Sequence, residues 1–372
     1  MKKIKNVLSV VLLGILILAI SLGCILKPAD AFSEAERRAL AQPPTLNTET
    51  VFSGEFTNGF ELYTTDQFPL RDTFRAFKAG LNKYVFGKKD TNGLFMAEGH
   101  ISKMDAPLNP EMLSHAAERF LYIYDSYLRG KDAKIYFSVV PDKNYWLAEA
   151  NGYPALDYAM LISEMREKTD YMEYIDVLPL LGLEDYYTTD THWKQECITD
   201  VAMHILYTMQ SPETLEADPV YTKQTLEVPF YGVYAGQLPL KTAPDTIAYL
   251  TNPMLEACTV SYYDTGKPVD GEMYNMEKAT GKDPYEMFLS GSAPLLTIEN
   301  PNATQKRELV LFRDSYGSSL APLLAQGYSK ITVVDIRYIQ SSFVGNFVDF
   351  DAADDVLFMY STSLLNNSLA IR

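Results

Sequence analysis

Short apolar runs of strand length recur between residues 135 and 360, and stretches with a helical period separate them. Runs of this kind, without polar alternation, are typical of strands buried on both faces of a sheet. Because strands linked through helices return in the same direction, the pattern predicts an α/β fold with a parallel sheet covered by helices. The predicted strands are 135–140, 174–177, 309–312, 330–334 and 356–360, and the clearest predicted helices are 111–128, 198–209 and 318–326.

The start of the chain indicates export. Three lysines precede 20 uncharged residues, 7–26, a length that is sufficient to cross a bilayer with the basic end in the cytoplasm. An A-x-A-like string at 29–31 also fits cleavage of a signal peptide, and Cys24 lies in a poor lipoprotein box. Residues 1–27 are therefore predicted to be a signal anchor first, a signal peptide second and a lipoprotein signal third. Each alternative places the rest of the chain outside the cytoplasm, membrane-anchored or secreted.

Charge and cysteine content argue against several classes of function. After residue 27 the chain carries 28 basic and 48 acidic residues, which disfavours nucleic acid as a partner because phosphate binding draws on clustered Lys and Arg. Four scattered histidines and three cysteines predict no metal site, and we expect no cofactor. Since Cys24 lies in the apolar run, Cys197 and Cys258 form the single candidate disulfide.

The rest of the chain divides by composition. Residues 28–50 are polar, contain two adjacent prolines and are predicted to be a linker. Aromatic residues recur at near-helical intervals between 52 and 87, with a break at 67–72, and predict a core-facing helical stripe. The stretch at about 212–300 is rich in Tyr, Pro, Thr and Gly and has little periodicity. We therefore expect one domain, 51–372, that holds this stretch as an irregular insertion with some β structure.

Two polar strings at junctions of the α/β pattern could carry chemistry. The turn at 186–193 contains Asp190 and His192, and a spacing of two in extended backbone points both side chains the same way. Ser315 follows a predicted strand and opens a helix, where backbone N–H groups can face an oxyanion. Taken singly, such strings are more often surface turns or N-caps. Because sites gather at the carboxyl ends of parallel strands, Asp190, His192 and Ser315 are predicted to be orienter, base and nucleophile.

Arg337 and Tyr338 follow the predicted strand 330–334. They are therefore predicted to lie at the same edge of the sheet as Ser315 and to bind substrate. For Arg337 a second role stays open, a structural ion pair beneath the site.

The order of several strings resembles the DHHW family of exported bacterial proteins, which is similar to the SGNH-hydrolase-like domain of the alginate acetylation proteins AlgX and AlgJ. The resemblance implies an α/β/α flavodoxin-like sheet and a triad of Asp190, His192 and Ser315. Two positions depart from the pattern, Thr191 where the family name implies His and Arg313 where SGNH proteins have Gly. The matching strings are residues 32–34, 37–38, 54–56, 66–72, 92–94, 139–143, 189–193, 314–317 and 335–338.

The resemblance also implies acyl-ester chemistry on a surface polysaccharide. The leading hypothesis is an O-acetyltransferase in which Ser315 accepts an acetyl group from a membrane donor protein and passes it to a sugar hydroxyl. A carbohydrate esterase would use the same covalent route with water as the acceptor. A non-catalytic glycan-binding or assembly protein is the alternative from another class. The sequence does not separate transferase from esterase, because they differ only in the acceptor.

Overall fold

The computed structural model describes residues 2–33, 35–209, 219–303 and 306–372. Glu34 and the beginning of the predicted insertion, 212–218, lie outside the described residues. The chain divides into two compact units. The first consists of Met1–Thr91 and Ala235–Lys241, and the second of Asn92–Tyr234 and Thr242–Arg372. Residues 51–91 thus belong to the unit that contains the N-terminal segment, whereas the sequence pattern groups them with the α/β domain.

The first unit is largely helical. Helix α1, Lys2–Leu26, is the one helix among the described residues that is long and apolar enough to cross a membrane. The predicted linker contains a hairpin of two short strands and a helix that begins after Asn47, whose side chain caps it. The other elements are strands β1 (Phe32–Ser33) and β2 (Arg38–Ala39) and helices α2 (Thr48–Phe52), α3 (Glu55–Asp66) and α4 (Arg71–Gly80), followed by a π-helical turn, Leu81–Val85.

The predicted core-facing aromatic stripe of this unit is wrong. Phe60, Phe74 and Phe77 are 49%, 50% and 63% exposed, and α3 has no buried residue. The reason is that the polar face of α4 makes the internal contacts: Arg71 and Arg75 both form ion pairs with Glu36, at 2.6 and 3.2 Å. A helical period fixes which side chains share a face, but not which face turns inward.

The second unit is built on an eight-stranded sheet that consists of β5 (Lys134–Val140), β6 (Glu173–Tyr174), β9 (Thr259–Tyr262), β10 (Val269–Gly271), β11 (Leu295–Glu299), β12 (Glu308–Arg313), β13 (Lys330–Val334) and β14 (Asp355–Ser361). The strand order in the sheet is β10-β9-β11-β13-β12-β14-β5-β6. Strands β13, β12, β14, β5 and β6 are parallel, and β11, β9 and β10 extend the sheet in antiparallel fashion. Two antiparallel pairs lie outside this sheet, β3 (Leu94–Ala97) with β4 (His100–Lys103) and β7 (Thr222–Thr225) with β8 (Ala248–Thr251).

Helices cover both faces of this sheet. The remaining helices are α5 (Pro110–Ile123), α6 (Asn144–Leu147), α7 (Tyr158–Lys168), α8 (Thr199–Thr208), α9 (Val233–Gln237), α10 (Pro253–Ala257), α11 (Met276–Ala279), α12 (Gly317–Leu324) and α13 (Thr362–Leu365). Alternate strand residues enter two separate cores, as the period of two in a strand requires. Leu309 and Leu311 of β12 pack with α8 and α12, whereas Val310 and Phe312 pack with α5 and α7.

The predicted α/β fold is confirmed, and the boundaries of the longer predicted strands agree within one residue. The stretch predicted as an irregular insertion differs in one respect. It supplies β9, β10 and β11 to the sheet, and β9 and β10, with four and three residues, are too short for a long apolar run. Cys197 and Cys258 are free thiols and form no disulfide.

Candidate active site

The carboxyl ends of the parallel strands meet at one edge of the sheet, where ligand sites of α/β folds gather. Strand β12 ends at Arg313 and leads directly to Ser315, while Asp142 and Lys143 follow β5 and Asp335 follows β13. The turn at 186–193 reaches this edge through contacts with Ser315 and Lys143.

The turn that carries Asp190 and His192 is held in place by Asp245. The turn is closed by a bridge between Tyr186 and Trp193. Both carboxylate oxygens of Asp245 accept hydrogen bonds from its backbone and hydroxyl groups: Thr188 N and Oγ1 at 2.8 Å each, and Thr189 N at 2.7 Å and Oγ1 at 2.5 Å. Hydrogen bonds to a charged group are stronger than those between neutral groups, so four of them to one carboxylate hold the backbone of residues 188 and 189 in this conformation.

Lys143 holds the same turn from the side of the sheet. Its side chain is buried, and the ammonium group donates to the carbonyls of Tyr187, Thr188 and Asp190 at 2.9, 3.2 and 2.7 Å. The ammonium also lies 5.3 Å from the centroid of the Tyr234 ring. Burial lowers the pKa of Lys143 to about 7, although nearby carboxylates oppose this shift. All three protons of the ammonium thus have acceptors in the turn.

Asp190 is fixed from its other side by a close approach of the backbone at Gly232. A Cβ at Gly232 would lie 2.3 Å from Asp190 Cβ, so the position admits only glycine without a shift of the chain. The next residue, Val233, donates its N–H to Asp190 Oδ2 at 2.8 Å. The Asp190 side chain is almost completely buried, and its second oxygen, Oδ1, faces His192.

The structure brings Asp190, His192 and Ser315 together in one hydrogen-bonded chain. Asp190 Oδ1 lies 2.6 Å from His192 Nδ1, and His192 Nε2 lies 2.7 Å from Ser315 Oγ. A carboxylate accepts but does not donate, so Nδ1 of His192 carries the proton and Nε2 is left to accept the Ser315 hydroxyl proton. This is the geometry that general-base activation of a serine requires.

Two tyrosines fix the orientation of the imidazole. The ring of Tyr285 stacks on His192, with centroids 3.9 Å apart and an interplanar angle of 7°. Tyr316 donates its hydroxyl to the Thr191 carbonyl at 2.7 Å, which ties the residue after the serine to the turn. Trp193 donates its Nε1–H to the Tyr316 carbonyl at 3.1 Å. The start of α12 and the turn are therefore held as one rigid piece.

Asp314, and not Ser315, stabilises the turn before α12. Asp314 Oδ1 accepts from Tyr316 N at 3.0 Å, and Oδ2 accepts from Ser361 N at 2.8 Å. The N-cap position of α12, Tyr316, has no side-chain cap. Among the described residues, no acceptor takes the Ser315 N–H. This N–H can therefore donate to the negatively charged oxygen of a tetrahedral intermediate whose carbon is bonded to Ser315 Oγ.

Arg313 lies beneath this turn. Its side chain is fully buried, and the guanidinium donates to the carbonyls of Gly291 and Asp314 and contacts Asp335 at 3.4 Å. A Cβ at Gly317 would lie 2.6 Å from Arg313 Cβ, so the glycine two residues after the serine makes room for the arginine. The departure from the SGNH pattern thus places a buried cation under the turn.

Arg337 and Tyr338 lie at the same edge of the sheet but, among the described residues, neither contacts the three triad residues. Arg337 forms a bidentate ion pair with Asp335, from Nε at 2.9 Å and Nη2 at 2.6 Å. Tyr338 is half exposed, and its hydroxyl lies 3.3 Å from Ser292 Oγ. Binding of substrate by Arg337 and Tyr338 therefore stays a prediction.

We expect Arg337→Ala to lower the melting temperature clearly. The buried carboxylate of Asp335 would keep only its longer contact with Arg313 and the hydrogen bond from the backbone N–H of residue 337 at 3.1 Å. Removal of one partner of a buried pair costs about 3–5 kcal/mol. Tyr338→Ala serves as the control, because its half-exposed side chain contributes little to packing and should leave the melting temperature unchanged. If Arg337 and Tyr338 bind substrate, both variants should also have a raised KM. An unchanged KM would exclude a role in substrate binding.

We expect Lys143→Met to lower stability and to change its pH dependence. Each carbonyl that loses its donor costs about 1–3 kcal/mol. Because the pKa of Lys143 is lowered to about 7 in the folded chain, the unfolded chain holds one more proton between about pH 7 and pH 10. The wild-type protein should therefore gain stability from Lys143 as the pH rises through this window.

Urea unfolding at the two ends of this window measures the effect, and Lys143→Met should abolish the gain. The control is Lys103→Met, because Lys103 is half exposed and its ion pair with Asp105 is long, at 3.8 Å. An unchanged rise with pH in Lys143→Met would show that Lys143 is not the group that titrates.

Several residues of the site were not identified from the sequence. Lys143 lies in one of the strings of the resemblance, and the signal was a charged residue just after a buried strand. Asp245 and Tyr285 lie in the stretch predicted as irregular and carry no signal in the sequence. In the part of the chain that the structure describes, no group of His, Cys, Asp and Glu side chains is arranged to hold a metal ion.

No protein-family model matches this sequence, and no curated protein matches it. Solved structures do share its fold. A DHHW family protein from Eubacterium siraeum is 23% identical with a TM-score of 0.58, covering 76% of this chain and 95% of that chain. PatB1 from Bacillus cereus, solved with a sulfonyl adduct, is 17% identical with a TM-score of 0.58, covering 73% and 95%. The O-acetyltransferase domain of Pseudomonas putida AlgJ is 13% identical with a TM-score of 0.45, covering 74% and 92%.

The likeness to a DHHW family protein that the order of the strings predicts is confirmed among these neighbours. The shared feature is the fold, a mixed α/β architecture around a mostly parallel sheet. At these identities the likeness extends to the fold alone, and at its TM-score AlgJ supports no conclusion about the chemistry of this chain.

Proposed function

We propose that this protein is an extracytoplasmic acyl-ester enzyme, an O-acetyltransferase that acts on a cell-surface or exported polysaccharide through an acyl-serine intermediate. The observation that carries the proposal is the hydrogen-bonded chain from Asp190 through His192 to Ser315, with distances of 2.6 and 2.7 Å. PatB1 shares the fold and has been solved with a sulfonyl adduct, and sulfonyl reagents react with nucleophilic side chains.

In the first half-reaction, His192 Nε2 takes the proton of Ser315 Oγ as this oxygen attacks the acetyl carbonyl carbon. The Asp190 carboxylate stabilises the imidazolium that forms. Negative charge develops on the carbonyl oxygen, and the Ser315 N–H is the donor that can bind it. When the tetrahedral intermediate collapses, the bond to the leaving group breaks and the leaving oxygen takes the proton from His192. The acetyl group is then an ester of Ser315.

In the second half-reaction, a sugar hydroxyl attacks the acetyl ester while His192 takes its proton. The bond between the acetyl carbon and Ser315 Oγ breaks, and the serine oxygen regains its proton from the imidazolium. The products are an O-acetylated sugar and the free enzyme. The partners that we propose are a polysaccharide acceptor and a membrane protein that donates the acetyl group. Hydrolysis of the same intermediate would make the protein a carbohydrate esterase.

The test uses an activated acetyl ester such as 4-nitrophenyl acetate and follows release of the phenol. Turnover supports an enzyme, and its absence under all conditions favours a non-catalytic glycan-binding or assembly protein. Addition of polysaccharides from the source organism then separates the two enzymes. A transferase should transfer labelled acetyl to the polysaccharide and release less acetate, whereas an esterase should release acetate only and should deacetylate an acetylated polysaccharide.

The proposed location outside the cytoplasm rests on α1 and on the lysines that precede its apolar run. A reporter enzyme fused after Arg372 should be active if it requires export and inactive if it requires the cytoplasm. Activity of a cytoplasm-dependent reporter alone would contradict the proposal.

A further inference from the structure

An exposed aromatic stripe runs along α4 and the π-helical turn that continues it. Phe74 and Phe77 are 50% and 63% exposed, and Tyr84 and Phe86 are 75% and 67% exposed. Leu70, just before the helix, is 72% exposed. Spacings of four, three and seven residues place residues 70, 74, 77 and 84 on one face of the helix, and Phe86 follows the π-helical turn.

The opposite face of the same helix makes the contacts inside the first unit. Arg71 and Arg75 form ion pairs with Glu36, Arg75 also donates to the Gly236 carbonyl at 3.0 Å, and Ala79 is buried. The helix therefore turns its polar face inward and its aromatic face outward, which is the reverse of a surface helix in a water-soluble domain.

This stripe lies in the most basic part of the chain after the N-terminal helix. Residues 71–89 contain six basic residues and one acidic residue, whereas 28–372 as a whole contains 28 basic and 48 acidic residues. Lys78 and Lys88 are exposed, and the Lys83 ammonium lies 5.7 Å from the centroid of the Tyr84 ring. Aromatic side chains mixed with lysines favour the boundary between headgroups and acyl chains of a bilayer.

The start of α4 lies beside the end of α1. A Cβ at Gly23 would lie 3.1 Å from Pro69 Cγ, so the last turns of α1 pack against the residue two positions before α4. The buried side chain of Gln67 exchanges two hydrogen bonds with the backbone of Asp30, at 2.9 and 2.8 Å. If α1 crosses a bilayer, α4 therefore begins at the level of the lipid headgroups.

We infer that residues 70–89 bind the surface of an anionic phospholipid bilayer as an interfacial segment, a second membrane contact in addition to α1. The aromatic stripe inserts among the headgroups, and the lysines attract anionic lipid. A protein partner is the other class of occupant for an exposed apolar face. The cluster of lysines in an otherwise acidic chain and the contact with the end of α1 favour the lipid surface.

The test uses the full chain in nanodiscs of phosphatidylcholine with phosphatidylglycerol. The three native cysteines are changed to serine, and a single cysteine is introduced as Phe77→Cys or Phe86→Cys. An environment-sensitive fluorophore is attached to this cysteine. Lipids with a nitroxide at the level of the headgroup quench the fluorescence where the label lies in the interface. Asp72→Cys is the matched control, because Asp72 is exposed on the opposite face of α4. A chain that keeps only Cys24 confirms that α1 is inserted. We expect at least twofold stronger quenching at positions 77 and 86 than at position 72.

A second experiment tests the contribution of charge to the quenching. It compares nanodiscs with and without phosphatidylglycerol, and it compares the double variant Lys78→Gln/Lys88→Gln with the chain that keeps both lysines. Removal of the anionic lipid or of the two lysines should weaken quenching at position 77. Equal quenching at positions 72 and 77 in the anionic nanodiscs, with Cys24 inserted, would overturn the inference. A fluorophore at position 77 that aqueous iodide quenches in anionic nanodiscs, and that loses this quenching only when a membrane protein is added, would overturn the inference in favour of protein docking.

Discussion

Replacement of Ser315 by alanine is expected to abolish acyl-enzyme formation and to lower turnover of an activated acetyl ester by about 10⁶-fold, the size of the loss when a triad serine is removed. The reason is that Ser315 Oγ is the atom 2.7 Å from His192 Nε2. Intact-protein mass spectrometry should show an acetyl adduct on the wild-type chain when deacylation is slow, and none on Ser315→Ala. His192→Ala should also form no adduct, because a serine hydroxyl without a base is a poor nucleophile at neutral pH.

Ser318→Ala is the matched control for this experiment. Ser318 lies in the first turn of α12, and its buried Oγ has no hydrogen-bond partner among the described residues. This variant should keep both the adduct and the melting temperature. An adduct that persists in Ser315→Ala would end the triad hypothesis. So would a wild-type chain that forms no adduct while Ser315→Ala loses about 0.5–2 kcal/mol of stability, the result expected of a helix cap.

Asp190→Asn is expected to keep the fold and to lower turnover by up to about 10⁴-fold. In the structure, Oδ1 accepts from His192 Nδ1 at 2.6 Å and Oδ2 accepts from Val233 N at 2.8 Å. An asparagine offers one acceptor oxygen and one amide group, so in either orientation the amide faces a donor. When the amide faces His192, Nδ1 becomes an acceptor and Nε2 carries the proton, so Nε2 cannot receive the serine proton. When the amide faces Val233, the Val233 N–H loses its acceptor.

Steady-state kinetics with the acetyl ester, together with thermal melts, separates this effect from misfolding. Asp176→Asn is the control, because Asp176 is exposed and also follows a strand of the sheet. It should leave both quantities unchanged. Turnover by Asp190→Asn at the wild-type rate would remove Asp190 from the mechanism.

The parallel-sheet pattern and the three triad positions could be predicted from the sequence because the signals are local. A strand buried on both faces must be apolar throughout, as the run that forms β12 is, and the strand ends where polar residues resume. Asp190 and His192 are two residues apart, so their proximity follows from the chain itself. The position of Ser315 between a predicted strand and a predicted helix marked it as the nucleophile, and the resemblance of the strings implied the same triad.

The clamp around the turn at 186–193 could not be predicted, because its parts are distant in the sequence. Lys143 is more than 40 residues from the carbonyls that it binds, and Asp245 is more than 50 residues from the threonines that it holds. Tyr285, whose ring covers His192, lies in a stretch without periodicity. Short edge strands and single contacting side chains leave no repeating pattern, so nothing in the local sequence marks them.

The sequence by itself determined which segments become buried strands, which helices have an apolar face, and which three residues have the chemistry of a triad. The tertiary structure alone decided that His192 and Ser315, 123 residues apart, lie within hydrogen-bond distance. It also decided that the aromatic face of α4 points outward. The physical reason is that local patterns arise from backbone geometry and the burial of apolar surface. The partner that each face meets depends on how distant strands and helices close the fold.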